Sequence, residues 1–208
     1  MAEEMPIVFV VDDDPSVREA IGSLLKLVDL RFEAFESPRA FLNSKHPNVA
    51  SCLVLDVRFP GLSGLQFQRE LTEAKINIPI IFITGHGDVP MSVQAMKDGA
   101  IEFLTKPFRD QDLLDAIHLG VKRDQVRRDT EKEVADLRER YDWLTARERE
   151  VMAILVTGRL NKQIGAAIGT TESTVKGYRV QIMRKMRAKS LVELIRMADK
   201  LGFSDTRI

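Results

Sequence analysis

Three apolar runs in the first half of the chain each end directly in a polar group. Ile7 to Val11 runs into Asp12, Asp13 and Asp14, Leu53 to Leu55 ends in Asp56, and Pro79 to Ile83 ends in Thr84. A fourth run, Ile101 to Leu104, is followed by Thr105, Lys106 and Pro107. Such runs predict strands buried on both faces, as in a parallel sheet covered by helices. The carboxyl ends of those strands share one edge, where open α/β sheets bind their ligands. Carboxylates, a hydroxyl and an ammonium group from distant parts of the chain are therefore expected in one place.

The segments between the runs read as helices. Pro15 to Val28 has a proline suited to a first turn and apolar residues at Val17, Ile21, Leu24, Leu25 and Val28. Arg31 to Phe35 alternates like a short strand, and Ser37-Pro38 opens a helix to about Asn43. A Pro60-Gly61 turn, a helix from about Ser63 to Thr72, another from Met91 to Lys97 and one opening near Asp110 complete the pattern. Five repeats of strand and helix predict a five-stranded, doubly wound parallel α/β sheet.

A chain of 208 residues has room for a second domain. Its net charge of zero conceals a polarity: residues 1–120 carry 11 Lys and Arg against 18 Asp and Glu, whereas residues 141–208 carry 13 against 7. One part is suited to a cation and the other to a polyanion. Cys52 is the sole cysteine, so no internal disulfide forms, and its place at the start of an apolar strand predicts a buried thiol. The apolar run near the N-terminus fits neither a secretory signal nor a membrane span, and a cytoplasmic location without membrane partners is expected.

From Asp110 to about Tyr141 the only glycine is Gly120 and there is no proline. The stretch could extend ~45 Å as one helix. Leu114, Ile117 and Val121 make one apolar seam and Val134, Leu137, Tyr141 and Leu144 another, with Asp124, Arg128 and Glu131 between them. Residues 121–141 read either as a solvated helical linker or as a short dimeric coiled coil. Beyond them the pattern is all helical. Thr145-Ala-Arg-Glu148 is a capping box, with a helix to about Thr157 stopped by Gly158. Asn161 to Ile168, Glu172 to Met186 and a helix opened by Ser190 follow.

Several carboxylates in one pocket repel unless they are protonated or share a cation, and an all-oxygen cluster suits Mg2+. Asp56 is then a candidate nucleophile towards phosphorus, with Lys106 and Thr84 supplying charge and a hydroxyl to the transferred group. Residues from about 7 to 120 resemble the receiver domain of two-component response regulators. The matching motifs are Val10-Val11-Asp12-Asp13, Leu53-Val-Leu-Asp56, Ile83-Thr84-Gly85 and Lys106-Pro107-Phe108. The resemblance implies that Asp56 accepts a phosphoryl group from a sensor histidine kinase. It also implies that Asp13, Asp56 and the Arg58 carbonyl bind Mg2+ directly, with Asp12 acting through water. By the same resemblance Lys106 contacts the phosphoryl group, Thr84 moves towards it, Phe103 is the switch aromatic, and the bond before Pro107 is cis. Asp14 reads as a neighbouring loop or cap residue. Arg58 and His86 should flank the acyl phosphate and limit its attacking water, which dephosphorylation half-lives of Arg58→Asn and His86→Ala would report.

Residues 144 to about 201 resemble the LuxR-type helix-turn-helix domain through Leu144-Thr-Ala-Arg-Glu-Arg-Glu150, Gly158, Asn161-Lys-Gln-Ile164, Glu172-Ser-Thr-Val-Lys176, Arg179 and Arg184-Lys185-Met186. The whole is similar to the NarL/FixJ family, and to its FixJ branch through Asp56-Val-Arg58 and Gly85-His-Gly-Asp-Val. This implies a receiver at 5–120, a helical linker at 121–141 and an all-α four-helix DNA-binding domain at 142–208. In the third helix Val175, Ile182 and Met186 should face inward. Lys176 and Arg179, with Thr174 and Tyr178, are expected at double-stranded DNA, and Lys162 and Lys185 on phosphates. Gly177 lowers helix stability by ~1 kcal/mol relative to Ala, and either permits close approach of DNA or is simply tolerated.

The expected function is a transcription factor, not an enzyme. Phosphorylation drives homodimerisation through the fourth helix, fifth strand and fifth helix, and promoter binding with RNA polymerase as a further partner. Two rivals remain: an aspartyl-phosphate hydrolase and a DNA-binding dimer indifferent to phosphorylation. Hydrolases of the haloacid dehalogenase type carry a second Asp two residues after the nucleophile, where this chain has Arg58.

Overall fold

The computed structural model describes residues 5–85 and 88–203, so His86 lies outside the described residues. The chain divides into two compact units, residues 1–128 and 129–208. The first contains β1 (Ile7–Val11), α1 (Pro15–Leu27), β2 (Arg31–Phe35), α2 (Pro38–Leu42), β3 (Ser51–Asp56), β4 (Arg58–Phe59), β5 (Leu62–Ser63), α3 (Gly64–Glu73), β6 (Ile80–Thr84), α4 (Val89–Lys97) and β7 (Glu102–Thr105). Helix α5 (Asp110–Asp142) crosses the boundary, followed by α6 (Ala146–Leu155), α7 (Asn161–Ile168), α8 (Glu172–Met186) and α9 (Leu191–Lys200).

The five main strands form one parallel sheet in the order β2-β1-β3-β6-β7. Strands β1, β3 and β6 are buried along their whole length, which is why they read as unbroken apolar runs. Alternate residues serve opposite faces. Phe9, Leu53, Leu55 and Phe82 pack with Phe41, Phe67 and Leu71 on one side, and Val8, Val54, Ile81 and Ile83 with Ile21, Leu25, Leu113 and Ile117 on the other. The edge strands β2 and β7 are only half covered, as their alternating polar residues require.

Side-chain caps place the helices. Asp14 caps α1 by accepting from the Ser16 N–H at 2.8 Å. Ser63 and Gln66 form a capping box on α3. Helix α4 begins at Val89, ahead of the expected Met91, because Asp88 accepts from the Met91 N–H and Pro90 lies in the first turn. The Pro60-Gly61 turn sits inside a small antiparallel hairpin, β4 with β5, that folds back on the end of β3. There the Gly64 N–H donates to the Val57 carbonyl at 2.7 Å.

Helix α5 runs unbroken through residues 121–141. Up to Arg128 it belongs to the first unit, where Leu114, Ile117 and Val121 pack on the sheet. Asp124, expected to interrupt a seam, is fully buried. Its carboxylate accepts from the Ser51 N–H at 2.9 Å, from Arg127 at 2.6 Å and from Arg128 Nε at 2.6 Å. One turn earlier Gly120 lies against Cys52, leaving 3.0 Å between its missing Cβ and the Cys52 Cβ.

In the second unit Leu137 is 3% exposed, the Tyr141 and Phe203 rings lie tilted with centroids 5.0 Å apart, and Glu133 pairs with Lys200 at 2.5 Å. Leu137 and Tyr141, half of the second seam, thus make contacts inside the second unit. The core of this unit is Leu144, Val151, Met152, Leu155, Ile164, Val175, Ile182, Met186 and Leu194. Helix α6 ends at Leu155 rather than Thr157, with Gly158 left-handed just beyond. Thr145 and Glu148 form the expected capping box, and Thr171 and Ser190 cap α8 and α9.

Candidate functional site

The sheet brings Asp12, Asp13, Asp56, Thr84 and Lys106 to its carboxyl edge. Pairing of Val11 with Leu55, Asp56 with Ile83 and Thr84 with Thr105 sets those strand ends side by side. Asp12 and Asp56 are buried and Asp13 is exposed. Carboxylate oxygens of the three lie within 4.8 Å of one another. Hard oxygen donors so close together, one open to solvent, fit a divalent cation that keeps part of its water.

Lys106 holds this negative charge together. Its Nζ donates to Asp12 Oδ2 at 2.7 Å and lies 3.7 Å from Asp56 Oδ1. Its N–H donates to the Thr84 carbonyl at 2.7 Å, and the bond from Lys106 to Pro107 is cis. The other Asp12 oxygen accepts from the Asp14 N–H at 2.9 Å, and the Asp12 carbonyl accepts from Arg18 at 2.6 Å. Burial pushes the Asp56 carboxyl above the usual carboxylate range; Lys106 opposes this and the Asp12 and Asp13 carboxylates add to it. The Val57 N–H donates to Asp56 Oδ1 at 2.9 Å. A bound cation would relieve that repulsion and favour the ionised form of Asp56.

Thr84 is fully buried at the end of β6. Phe103, half-buried on β7, lies 6.2 Å from the Phe82 ring. Arg58 begins the hairpin with its side chain exposed.

In the second unit α7, a turn at Gly169 to Thr171, and α8 make a helix-turn-helix. Lys162, Thr174 and Lys176 are exposed, while Tyr178 and Arg179 are half-buried. Lys176 pairs with Glu172 at 3.3 Å. The structure gives Lys185 a partner inside the domain: its Nζ lies 2.6 Å from Glu148 Oε2, a buried carboxylate that also caps α6. Burial raises the Glu148 carboxyl, but bonds from Lys185 and Thr145 outweigh it and hold the group below its ordinary value. Sequence reasoning passed over two features. One is exposed Val180 on α8; the other is buried Asp124, whose only local signal is Arg127 and Arg128 three and four residues on.

A carboxylate cluster with a lysine across the carboxyl edge of such a sheet, joined in one chain to a helix-turn-helix, defines the class of phosphorylation-controlled DNA binders. Residues 8–118 match the response regulator receiver domain, and residues 142–198 match the luxR family of bacterial regulatory proteins. Nodulation protein W of Bradyrhizobium diazoefficiens is 54% identical over 98% of this chain and 89% of that protein. The transcriptional regulatory protein FixJ of Azorhizobium caulinodans is 41% identical over 95% of this chain and 93% of that protein. The solved structure of the response regulator StyR superposes with a TM-score of 0.84 at 45% identity, covering 95% of this chain and 100% of that one. The chain belongs to the NarL/FixJ family of two-component response regulators. It is a DNA-binding transcription factor rather than a turnover enzyme, with a kinase and DNA as its partners. No helix among the described residues is long and apolar enough to cross a membrane.

Proposed function

We propose that Asp56 is the phosphoacceptor and that its modification controls DNA binding by the second unit. An Asp56 oxygen forms a bond to phosphorus as the P–N bond of a kinase phosphohistidine breaks, and the departing imidazole keeps the electron pair. Asp12, Asp13 and Asp56, with the Arg58 carbonyl, would hold Mg2+, which neutralises charge on the transferring oxygens when bound. Lys106 exchanges part of its contact with Asp12 for the new phosphoryl group, Thr84 supplies a hydroxyl donor, and Phe103 repacks. The observation that carries this reading is a buried carboxylate flanked by two others, with a lysine 3.7 Å away.

A dimer formed through α4, β7 and the start of α5 follows. Of the nine residues of α4 only Ala95 is buried, and Val89, Val93 and Met96 form an exposed stripe at 76%, 45% and 44%. Two paired helix-turn-helix units would match a two-fold DNA site that one unit holds weakly. Lys162, Thr174, Lys176, Tyr178 and Arg179 make up the DNA face, and Lys185 is left out because Glu148 holds it. RNA polymerase is the further partner and the cytoplasm the location. Acetyl phosphate with Mg2+ should add one phosphoryl group to the full chain and raise its mass in native spectrometry to that of a dimer. Asp56→Asn should do neither; a labelled Asp56→Asn protein would overturn the assignment.

A further inference from the structure

Helix α8 turns Val175, Ile182 and Met186 into the core. At about 100° per residue, its opposite side carries Ser173, Gly177, Val180 and Arg184. All four are exposed, and Val180 keeps 64% of its surface in solvent.

Two of these residues are poor choices for a helix face that only meets water. Glycine disfavours a helix interior and valine is β-branched. Gly177 is not required by the fold: a Cβ added there meets nothing within 4 Å, and its φ lies outside the left-handed region. Among the described residues nothing covers either one, and they stand three positions apart on one stripe. The surrounding charge names the class of partner. Lys176, Arg179 and Arg184 lie on the same helix, in a segment with an excess of 6 positive charges over residues 141–208, from 13 Lys and Arg against 7 Asp and Glu. The partner is polyanionic yet presents an apolar group. In the major groove of DNA that group is the thymine 5-methyl.

We propose that Gly177 and Val180 form an apolar reader for a thymine methyl group. Gly177 lets the base edge approach the helix backbone, and the Val180 isopropyl group covers the methyl. Lys176, Arg179 and Arg184 hold the flanking phosphates. The inference rests on the DNA-binding reading and gives it a sequence preference that lysines and arginines on phosphates do not supply.

The test uses the full chain treated with acetyl phosphate and Mg2+, and a duplex enriched from a random library. Each thymine is replaced in turn by deoxyuridine, which removes the methyl and nothing else. At one thymine in each half-site the wild type should lose about fourfold in affinity, the worth of one buried methyl. Val180→Ala should bind the parent duplex more weakly and show little further loss with uracil at that position. Gly177→Ala should raise the melting temperature of the second unit yet weaken binding. An enriched duplex with no uracil-sensitive thymine overturns the proposal, as does a uracil effect undiminished in Val180→Ala or unchanged binding by Gly177→Ala. A library that yields no enriched duplex overturns the DNA-binding reading itself.

Discussion

Gly64 offers a quantitative probe of how strand β3 and its terminal Asp56 are held. It opens α3 just after the hairpin, and a Cβ there would lie 2.4 Å from the Asp56 carbonyl oxygen and 3.1 Å from Val57 Cα. A carbon approaches an oxygen no closer than ~3.3 Å in ordinary contact, so α3 and β3 must separate by about 0.9 Å. The Gly64 N–H bond to Val57, now 2.7 Å, would stretch beyond useful length. Overpacking of this kind destabilises by ~1–3 kcal/mol and the weakened bond by ~1 kcal/mol. The stiffer unfolded chain returns ~0.4–1 kcal/mol. A net loss of about 2 kcal/mol should speed amide exchange in β3 about 30-fold, read by hydrogen-exchange mass spectrometry, and slow labelling by acetyl phosphate. Gly22→Ala is the control. Its Cβ meets Phe32 ring atoms at 2.8 Å, at the end of a side chain that can turn aside, and the change should stay below about 1 kcal/mol. If β3 exchange and labelling in Gly64→Ala match the wild type, the close approach does not constrain the site.

The Lys185 and Glu148 pair should make the second unit acid-sensitive. The Glu148 carboxyl is held below its ordinary 4.5, so its stabilisation is present above that pH and lost as pH falls through the folded value. Lys185→Met should lower stability by about 1–3 kcal/mol at neutral pH and flatten the decline below that pH; Trp143 fluorescence melts that keep the wild-type acid slope would refute the pairing. Burial pushes the Cys52 thiol up to about 12, with the Asp124 carboxylate adding to it. Thiol reagents should therefore reach Cys52 only as the protein unfolds, and native labelling at the speed of a free cysteine would count against that environment. Asp124→Ala should remove the buried carboxylate that two arginines and the Ser51 N–H share. About 3–5 kcal/mol of destabilisation is expected in thermal melts, and a loss under ~1 kcal/mol would show that the network is solvated.

The legible parts of this protein were those whose cause is local. Strands β1, β3 and β6 announce themselves because burial on both faces leaves no polar residue until the strand ends, and at those ends Asp12, Asp13, Asp56 and Thr84 stand exposed to interpretation. The caps at Asp14, Thr145 and Ser190 were legible for the same reason. The hairpin β4 with β5 was not, since two-residue strands have no period to detect. Asp124 reads as a solvated helix charge because what buries it includes the Ser51 N–H, 73 residues earlier. Lys185 reads as a phosphate ligand because Glu148 is 37 residues away. In both cases the missing information was the fold itself.

Strand β3 carries a further consequence. Its first N–H is held by Asp124 and its last residue is Asp56, so the same six residues are anchored at both ends. A slip of one position would turn every β3 side chain to the opposite face. It would also withdraw Ser51 from its buried acceptor and carry Asp56 away from Lys106. Register errors in this strand are therefore rejected twice, at edges of the sheet that share no residue. The alignment of Asp56 with Lys106 is thus selected as the sheet assembles.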